Sequence, residues 1–452
     1  MTPEKLLTLA SRALDGARGD EEVEAFATHA VETSVDVFEG EVETLSSAET
    51  RGVGVRVIVD GRLGFASTAD VSPEGLAFAL EEARSNAAFA TPDAGNKLPG
   101  PERAEPLAGI DVPGLEAVPA ARKVKLALEL ERLTLAADRR VTGVASATYG
   151  DARSAVAVAS TTGMSAAYAG SDVYAHVSSL AREGEETQTG FGLTQGRSID
   201  ELDLAAAARE GAERATRLLG SGKAPTAQVP VVFDPLVTAQ FLGALSAAFS
   251  AEAVQKGRSL LAESMGEPVA DAGLSIVDDG RLLEGPAAAP IDDEGVPTGR
   301  TVLVADGVLV AFLHNAKTAA RHGKGARSTG NAARGGYRTP PGVSPSNLYF
   351  DGPTRSPAEV LAMAGTGLYV QDAKGVHSGV NPVSGEFSVG VTGLWIRGGE
   401  LAEPVREITV SSNLLDMLRS VAALGADRRF FPFGGAMAGA TMLVTGMTVA
   451  GS

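Results

Sequence analysis

The chain has five histidines and no cysteine, so a metal site here would be built from imidazoles and carboxylates alone. The histidines are His29, His176, His314, His322 and His377. No two stand four or five residues apart, the spacing that sets two imidazoles on one face of a helix. His314 and His322 flank the helix-like run Asn315–Arg321, and all five read as ordinary surface or core side chains. Without cysteine there is no disulfide framework and no thiolate nucleophile. The carboxylate run Asp292-Asp293-Glu294 reads as a solvated turn rather than an acid–base pair. Gly52-Val53-Gly54 starts a GxG, but strand residues follow where a dinucleotide fold needs a third glycine and a helix. Gly323-Lys324 lacks the flanking residues of a phosphate-binding loop. The segment Gly385–Gly390 spells GxxSxG, which is not the GxSxG of a nucleophile elbow.

Residues that do no chemistry of their own still need a scaffold. At 452 residues the chain can form two or three domains with sizeable cores. Apolar residues make up 44% and charged residues 21%, as in globular proteins generally. The net charge of −17 disfavours nucleic acid and anionic membrane surfaces as partners. The N-terminal stretch is an amphipathic helix pattern without a signal-peptide layout, so a cytoplasmic protein is expected.

Residues 3–16, 72–90, 118–138 and 202–219 read as helices. Ser72 is the N-cap of the second and Pro73 its first residue. The alternating run Val53–Val59, followed by Asp60-Gly61, predicts a hairpin with a type I′ turn. Residues 91–117 read as a long connection. Residues 141–196 read as several strands, with turn signals at Tyr149-Gly150-Asp151 and Thr162-Gly163. Further on, Asp306-Gly307 and Gly398-Gly399 mark hairpins, and helices are expected at 234–249, 356–365 and 412–424. The whole predicts an α+β protein: an N-terminal α/β region over 1–222, with a subdivision near 91–117, and a β-rich, barrel-like domain with a few helices over 229–452.

The segment Val229–Glu263 resembles the central segment of the TldD/PmbA family. Its active branch carries HExxxH on a helix here, with zinc bound to it. In this chain Leu242, Gly243 and Ala247 replace those ligands and the base. The cysteine expected as a further ligand is missing as well. Ile291–Pro297 is similar to the family's DDEG turn, Ala326–Arg334 to its STGNAxR loop, Asn381–Gly390 to its NPxTGxFSxG signature and Thr448–Gly451 to its terminal TVxG strand. The pattern resembles the PmbA (TldE) branch.

That resemblance implies a non-catalytic subunit without a metal of its own. Its partner would be an HExxxH-bearing TldD-type homologue that holds the zinc, and the pair would cleave unfolded or small peptides. A homodimer is expected when the chain is alone. Contact with substrate or partner is expected from Arg327, Ser328, Thr329, Asn331 and Arg334 in the basic loop Lys317–Arg338, and from Asn381, Gly385, Glu386 and Ser388. The stretch Gly379–Ile396 is a candidate sheet edge for an extended peptide. The helix at 234–249 is expected to pack as core through Leu236, Phe241, Leu242, Leu245 and Phe249. Two other readings are a stand-alone peptide-binding or scaffold homo-oligomer, and an enzyme with chemistry not recognised from these motifs.

Overall fold

The computed structural model describes residues 1–451 apart from 324 and 432–435, and leaves the side chain of His377 undescribed. Lys324 of the basic loop therefore lies outside the described residues. The N-terminal half is built on six antiparallel strands: β1 (Glu22–Phe38), β2 (Glu41–Val59), β3 (Arg62–Thr68), β4 (Val141–Ser160), β5 (Ser165–Glu183) and β6 (Glu186–Gly196). They lie in the order β3-β2-β1-β4-β5-β6. The β2–β3 hairpin turns at Asp60-Gly61, both with positive φ (48° and 72°), as a type I′ turn requires.

Successive strand residues face opposite sides of the sheet. The side bearing Val23, Ala25, Val53 and Val55 is covered by helices α1 (Pro3–Arg12) and α2 (Pro73–Phe89). Further along, Val35, Val37 and Val173 meet α3 (Ala120–Ala137) and α4 (Leu204–Thr216). The Ser72 hydroxyl accepts the Gly75 N–H at 3.1 Å and so caps α2. The expected turn at Tyr149-Gly150-Asp151 is absent: these residues lie in mid-β4. Gly150 leaves room for the Tyr174 ring, which a Cβ would meet at 2.3 Å. Asp151 is a buried partner of Lys123 (2.7 Å) and accepts the Tyr149 hydroxyl hydrogen.

In the C-terminal half, strands 442–450, 227–233, 367–374, 386–397 and 400–413 pair in that order. The last pairs again with the first, closing a five-stranded barrel. Helix α5 (Pro235–Ser246) sits in the core between this barrel and a second, six-stranded sheet. The helix expected over 412–424 is limited to Leu414–Arg419. Residues Val421–Gly425 instead form a strand against 442–444. The candidate edge at Gly379–Ile396 is not an edge from Gly390 onward, because there the strand is paired on both sides within the barrel; over Glu386–Val389 it pairs with 400–413 on one side and meets Val380 through a single bridge at Phe387. Among the described residues no helix is long and apolar enough to cross a membrane.

The two halves meet on the sheet face opposite the helices. Gly52 and Gly54 point that way, and the Tyr337 ring and carbonyl lie where their Cβ atoms would be, at 2.3 Å in each case. Beside them four charged side chains, each no more than 4% exposed, form one network. Arg56 bridges Glu24 (Nε to Oε1, 2.9 Å) and Glu294 (Nη2 to Oε1, 2.9 Å). The contact to Glu294 Oε1 is a charge contact outside hydrogen-bonding geometry. Arg334 donates to Glu24 and stacks over Phe26 at 4.6 Å.

The Asp292-Asp293-Glu294 run is therefore not a solvated turn. Asp292 Oδ1 accepts the N–H groups of Glu294 and Val296, each at 2.9 Å, and Oδ2 accepts that of Ala332. Asp293 accepts the Arg334 N–H at 2.7 Å. Nor is the basic loop solvated as a whole. Arg334 is buried in the network, while Lys317 (3.4 Å) and Arg321 pair with Asp93. Arg338 lies over the Tyr337 ring.

The STGN stretch is pinned from beneath by Asp278, which is 1% exposed. Asn331 Nδ2 donates to it at 2.6 Å, and the Ser346 N–H and hydroxyl donate at 2.7 and 2.9 Å. Burial pushes the Asp278 carboxyl up to about 6 despite those bonds.

Two outcomes follow from these buried charges. Arg334→Met, which leaves Glu24 short of a partner, is expected to cost roughly 3–5 kcal/mol in chemical denaturation. A loss under about 1 kcal/mol would show that the network does not hold the halves together. Asp278 binds its proton more tightly folded than unfolded, so it lowers stability as pH rises from about 4 to about 6. Between pH 7 and pH 5 the wild type should therefore gain stability relative to Asp278→Asn, by about 1–2 kcal/mol over that window. Parallel curves for the two proteins would refute the shift.

Candidate functional site

Helix α5 occupies the position where the sequence resemblance leads one to look for chemistry. Asp234 caps it, accepting the Leu236 N–H at 2.9 Å. Asp234 is itself held by Arg214 at 2.8 Å and the Tyr369 hydroxyl at 2.5 Å. This places the first turn of the helix against the strand 436–439, where a Cβ on Gly439 would meet the Pro235 carbonyl at 1.7 Å.

The expected apolar face is realised. Leu236, Phe241, Leu242, Leu245 and Phe249 are all buried, and Phe241 packs between Phe233 and Phe387 at ring distances of 5.4 and 4.9 Å. Leu242 is fully buried in that core, Gly243 is half-buried and Ala247 is exposed. A zinc ion needs three or four nitrogen, sulfur or oxygen donors, and these three residues have no such side-chain atoms. The helix does not fit a metal. Among the described residues no group of three or more His, Asp or Glu side chains is arranged to hold one elsewhere.

His314 and His322 do approach each other, edge to face with ring centroids 5.6 Å apart. Burial and then the neighbouring His322 hold the His314 ring below its usual pKa, so it stays neutral near pH 7. Its Nδ1 is buried without a hydrogen-bond partner. Its backbone is tied to the STGN loop: the Ser328 hydroxyl donates to its carbonyl at 3.1 Å, and its N–H donates to the Thr329 hydroxyl at 2.8 Å.

The predicted contact residues fall into two separate groups. Asn381, Gly385, Glu386 and Ser388 lie at one end of the barrel. The Asn381 side-chain oxygen accepts the N–H groups of Val383 and Ser384, and Gly385 turns the chain with φ 77°. Asn381, Glu386 and Ser388 line an open groove together with Ser411, Asp416 and Thr448. Ser388 and Ser411 share a hydrogen bond of 3.1 Å, while the Glu386 carboxylate is exposed and, among the described residues, unpaired.

Arg327, Ser328, Thr329, Asn331 and Arg334 form the other group and do not line this groove. Asn331 and Arg334 are structural. Thr329 donates to Asn331 at 2.6 Å, which leaves Arg327 exposed as the loop's unpaired cation among the described residues. Glu24, the partner of Arg334 across the interface, and Arg56, which shares that carboxylate, are not singled out by the sequence motifs. Arg56 within the run Gly52–Val59 was the available signal, since an arginine on a buried strand requires a paired carboxylate.

Three family profiles match the chain in order: "PmbA/TldA metallopeptidase domain 1" over residues 23–87, the central domain over 113–219 and the C-terminal domain over 226–451. A metalloprotease PmbA of Escherichia coli O157:H7 is 29% identical over 93% of this chain and 90% of its own length. A metalloprotease of Methanothermobacter thermautotrophicus is 29% identical over 88% of this chain and 86% of its own. Among solved structures, a Thermotoga maritima protein named in connection with modulation of DNA gyrase superposes with TM-score 0.88 at 28% identity, covering 99% of both chains. TldE from Thermococcus kodakarensis has the same fold, with TM-score 0.89 at 22% identity over 99% of both. With all three of its domains matched in sequence and its fold shared end to end, the chain belongs to the PmbA/TldD metallopeptidase family.

Proposed function

We propose that this chain is the non-catalytic subunit of a cytoplasmic, zinc-dependent peptidase complex that acts on unfolded or small peptides. One observation carries the reading. The helix that lies in the family's C-terminal domain presents Leu242, Gly243 and Ala247, and Leu242 is sealed into the barrel core. Activation of water by a Lewis acid needs ligands that this helix lacks. The partner is then an HExxxH-bearing homologue that supplies the zinc and the base. This chain contributes wall and grip.

The grip we assign to the groove at the barrel end. Its hydroxyls at Ser388 and Ser411 and its exposed Glu386 suit a peptide amide backbone and a basic side chain or free amino terminus. Arg327 is left to face the partner or a peptide carboxylate. The resemblance to a protein named for DNA gyrase does not redirect this proposal, because a chain of net charge −17 has little to offer DNA.

The deciding experiment is cleavage of an unfolded peptide by this chain alone, by the HExxxH homologue alone and by the two mixed, each with and without a chelator. Chelator-sensitive cleavage that depends on mixing is the expected result. Chelator-insensitive cleavage by this chain alone would overturn the proposal. Failure of the two chains to associate would favour a stand-alone scaffold. In the active mixture, Glu386→Gln should raise KM for a lysine-bearing peptide about two- to fivefold with kcat unchanged, as expected when a contact made equally in the ground and transition states is lost. An unchanged KM would remove the groove from the account.

A further inference from the structure

At the β6 end of the N-terminal sheet, on the face opposite the helices, a cavity of about 620 Å3 lies between the two halves. That is within the range of roughly 300–1,000 Å3 found for small-molecule sites. It shares no residue with the barrel-end groove or with α5.

Strand register builds its floor. Val173, Ala175 and Val177 of β5 face α3 and α4, so Tyr174 and His176 face the other way. Pairing sets Tyr174 beside Gln195 of β6 and His176 beside Leu193, with Phe191 one step further along the same face. The result is a row of three rings. His176 lies within 17° of parallel to Tyr174 at 6.0 Å, and tilts against Phe191 at 5.8 Å. Leu283, Pro286 and Phe431 of the C-terminal half form the roof. Two bonds tie roof to floor: Arg197 donates to the Gly285 carbonyl at 2.8 Å, and Gln195 to that of Phe430 at 3.0 Å. The cavity is therefore part of the docked fold.

The polar groups left facing this space favour one sign of charge. Among the described residues Arg197 is the one cation that lines it, and Asp172 occupies that guanidinium at 2.8 Å. Of the other lining carboxylates, Glu284 pairs with Arg428, while Glu201 accepts the Arg197 N–H and the Ser198 hydroxyl and meets no cation. Asp36 stands in line with His176 across β4, through Thr148, and has no cation either. The His176 ring makes no hydrogen bond among the described residues. Burial holds it below its usual pKa, although Asp36 opposes this, so near pH 7 it offers a free lone pair. We propose that the cavity binds a small organic cation of the arylalkylamine class. Its ring stacks on the row of Tyr174, His176 and Phe191, and its ammonium donates to the imidazole in the field of Glu201 and Asp36. An anion of the same shape would find no free guanidinium. The proposal does not rest on the peptidase reading, since none of these residues belongs to α5 or to the groove.

Tryptamine is the probe. Titrated into the full-length chain in a calorimeter, it should bind once per chain. Two controls should bind about tenfold more weakly or worse: indole-3-propionate, with the same ring and the opposite charge, and butylamine, with the same charge and no ring. Tyr174→Leu, at a partly exposed ring, should weaken tryptamine about three- to tenfold. Glu201→Gln keeps an acceptor for the Arg197 N–H and should weaken it about two- to fivefold. Leu283→Trp, at an exposed roof position, should fill the space and abolish binding, with an unchanged melting curve confirming the fold. No binding of tryptamine at millimolar concentration, equal binding of either control, or wild-type binding by Y174L or by folded L283W would each overturn the proposal.

Discussion

Four charged side chains almost sealed from water join the two halves of this molecule. Removing a guanidinium or a carboxylate from water costs several kcal/mol unless an opposite charge replaces the hydration. Glu24 illustrates the balance. Burial alone would raise its pKa, yet Arg56 and Arg334 outweigh burial and hold it ionised. Each charge comes from a different element: two from the N-terminal sheet, one from the DDEG turn and one from the STGN loop. Glu24 and Arg56 pair within the N-terminal sheet, but Glu294 and Arg334 meet their opposite charges only across the interface. The network thus specifies how the halves dock as much as it strengthens the docking, and Tyr337 seated over Gly52 and Gly54 fixes the same geometry by shape.

This arrangement changes what the sequence motifs mean. Asn331, Arg334 and Asp292 belong to segments that look like binding loops, yet their side chains or carboxylates are consumed by internal bonds. The exposed remainder is small: Arg327 in one place, Glu386 and Ser388 in another. The apolar α5 makes the same point from the core side. Phe241 and Leu242 contribute packing in a position where a ligand-bearing helix would have to keep polar groups near the surface.

Local signals were legible and distant ones were not. The Asp60-Gly61 hairpin, the Ser72 cap and the apolar face of α5 each depend on residues within a few positions of one another. The barrel was legible as a type, from hairpin turns and alternating strands. Gly150-Asp151 misled because glycine and aspartate usually mark turns. Here the glycine accommodates Tyr174 and the aspartate neutralises Lys123, partners that are remote in sequence. The DDE run misled for the same reason: what buries Glu294 is Arg56, more than two hundred residues away, and what holds Asp292 and Asp293 are the N–H groups of Ala332 and Arg334, 40 and 41 residues on. The separation of the two groups of contact residues also depends on the closed fold.

The barrel closes through residues 442–450, which bond to 227–233 on one side and 400–413 on the other. During synthesis strand 227–233 emerges some two hundred residues before that shared neighbour, and 400–413 only about thirty residues before it. The N-terminal sheet, whose pairings join strands close in sequence except at β1–β4, can form on the ribosome. The barrel cannot. For the time needed to make some two hundred residues, strand 227–233 waits with an open flank, so translation speed over this half and the chaperones that meet it govern the yield of folded protein.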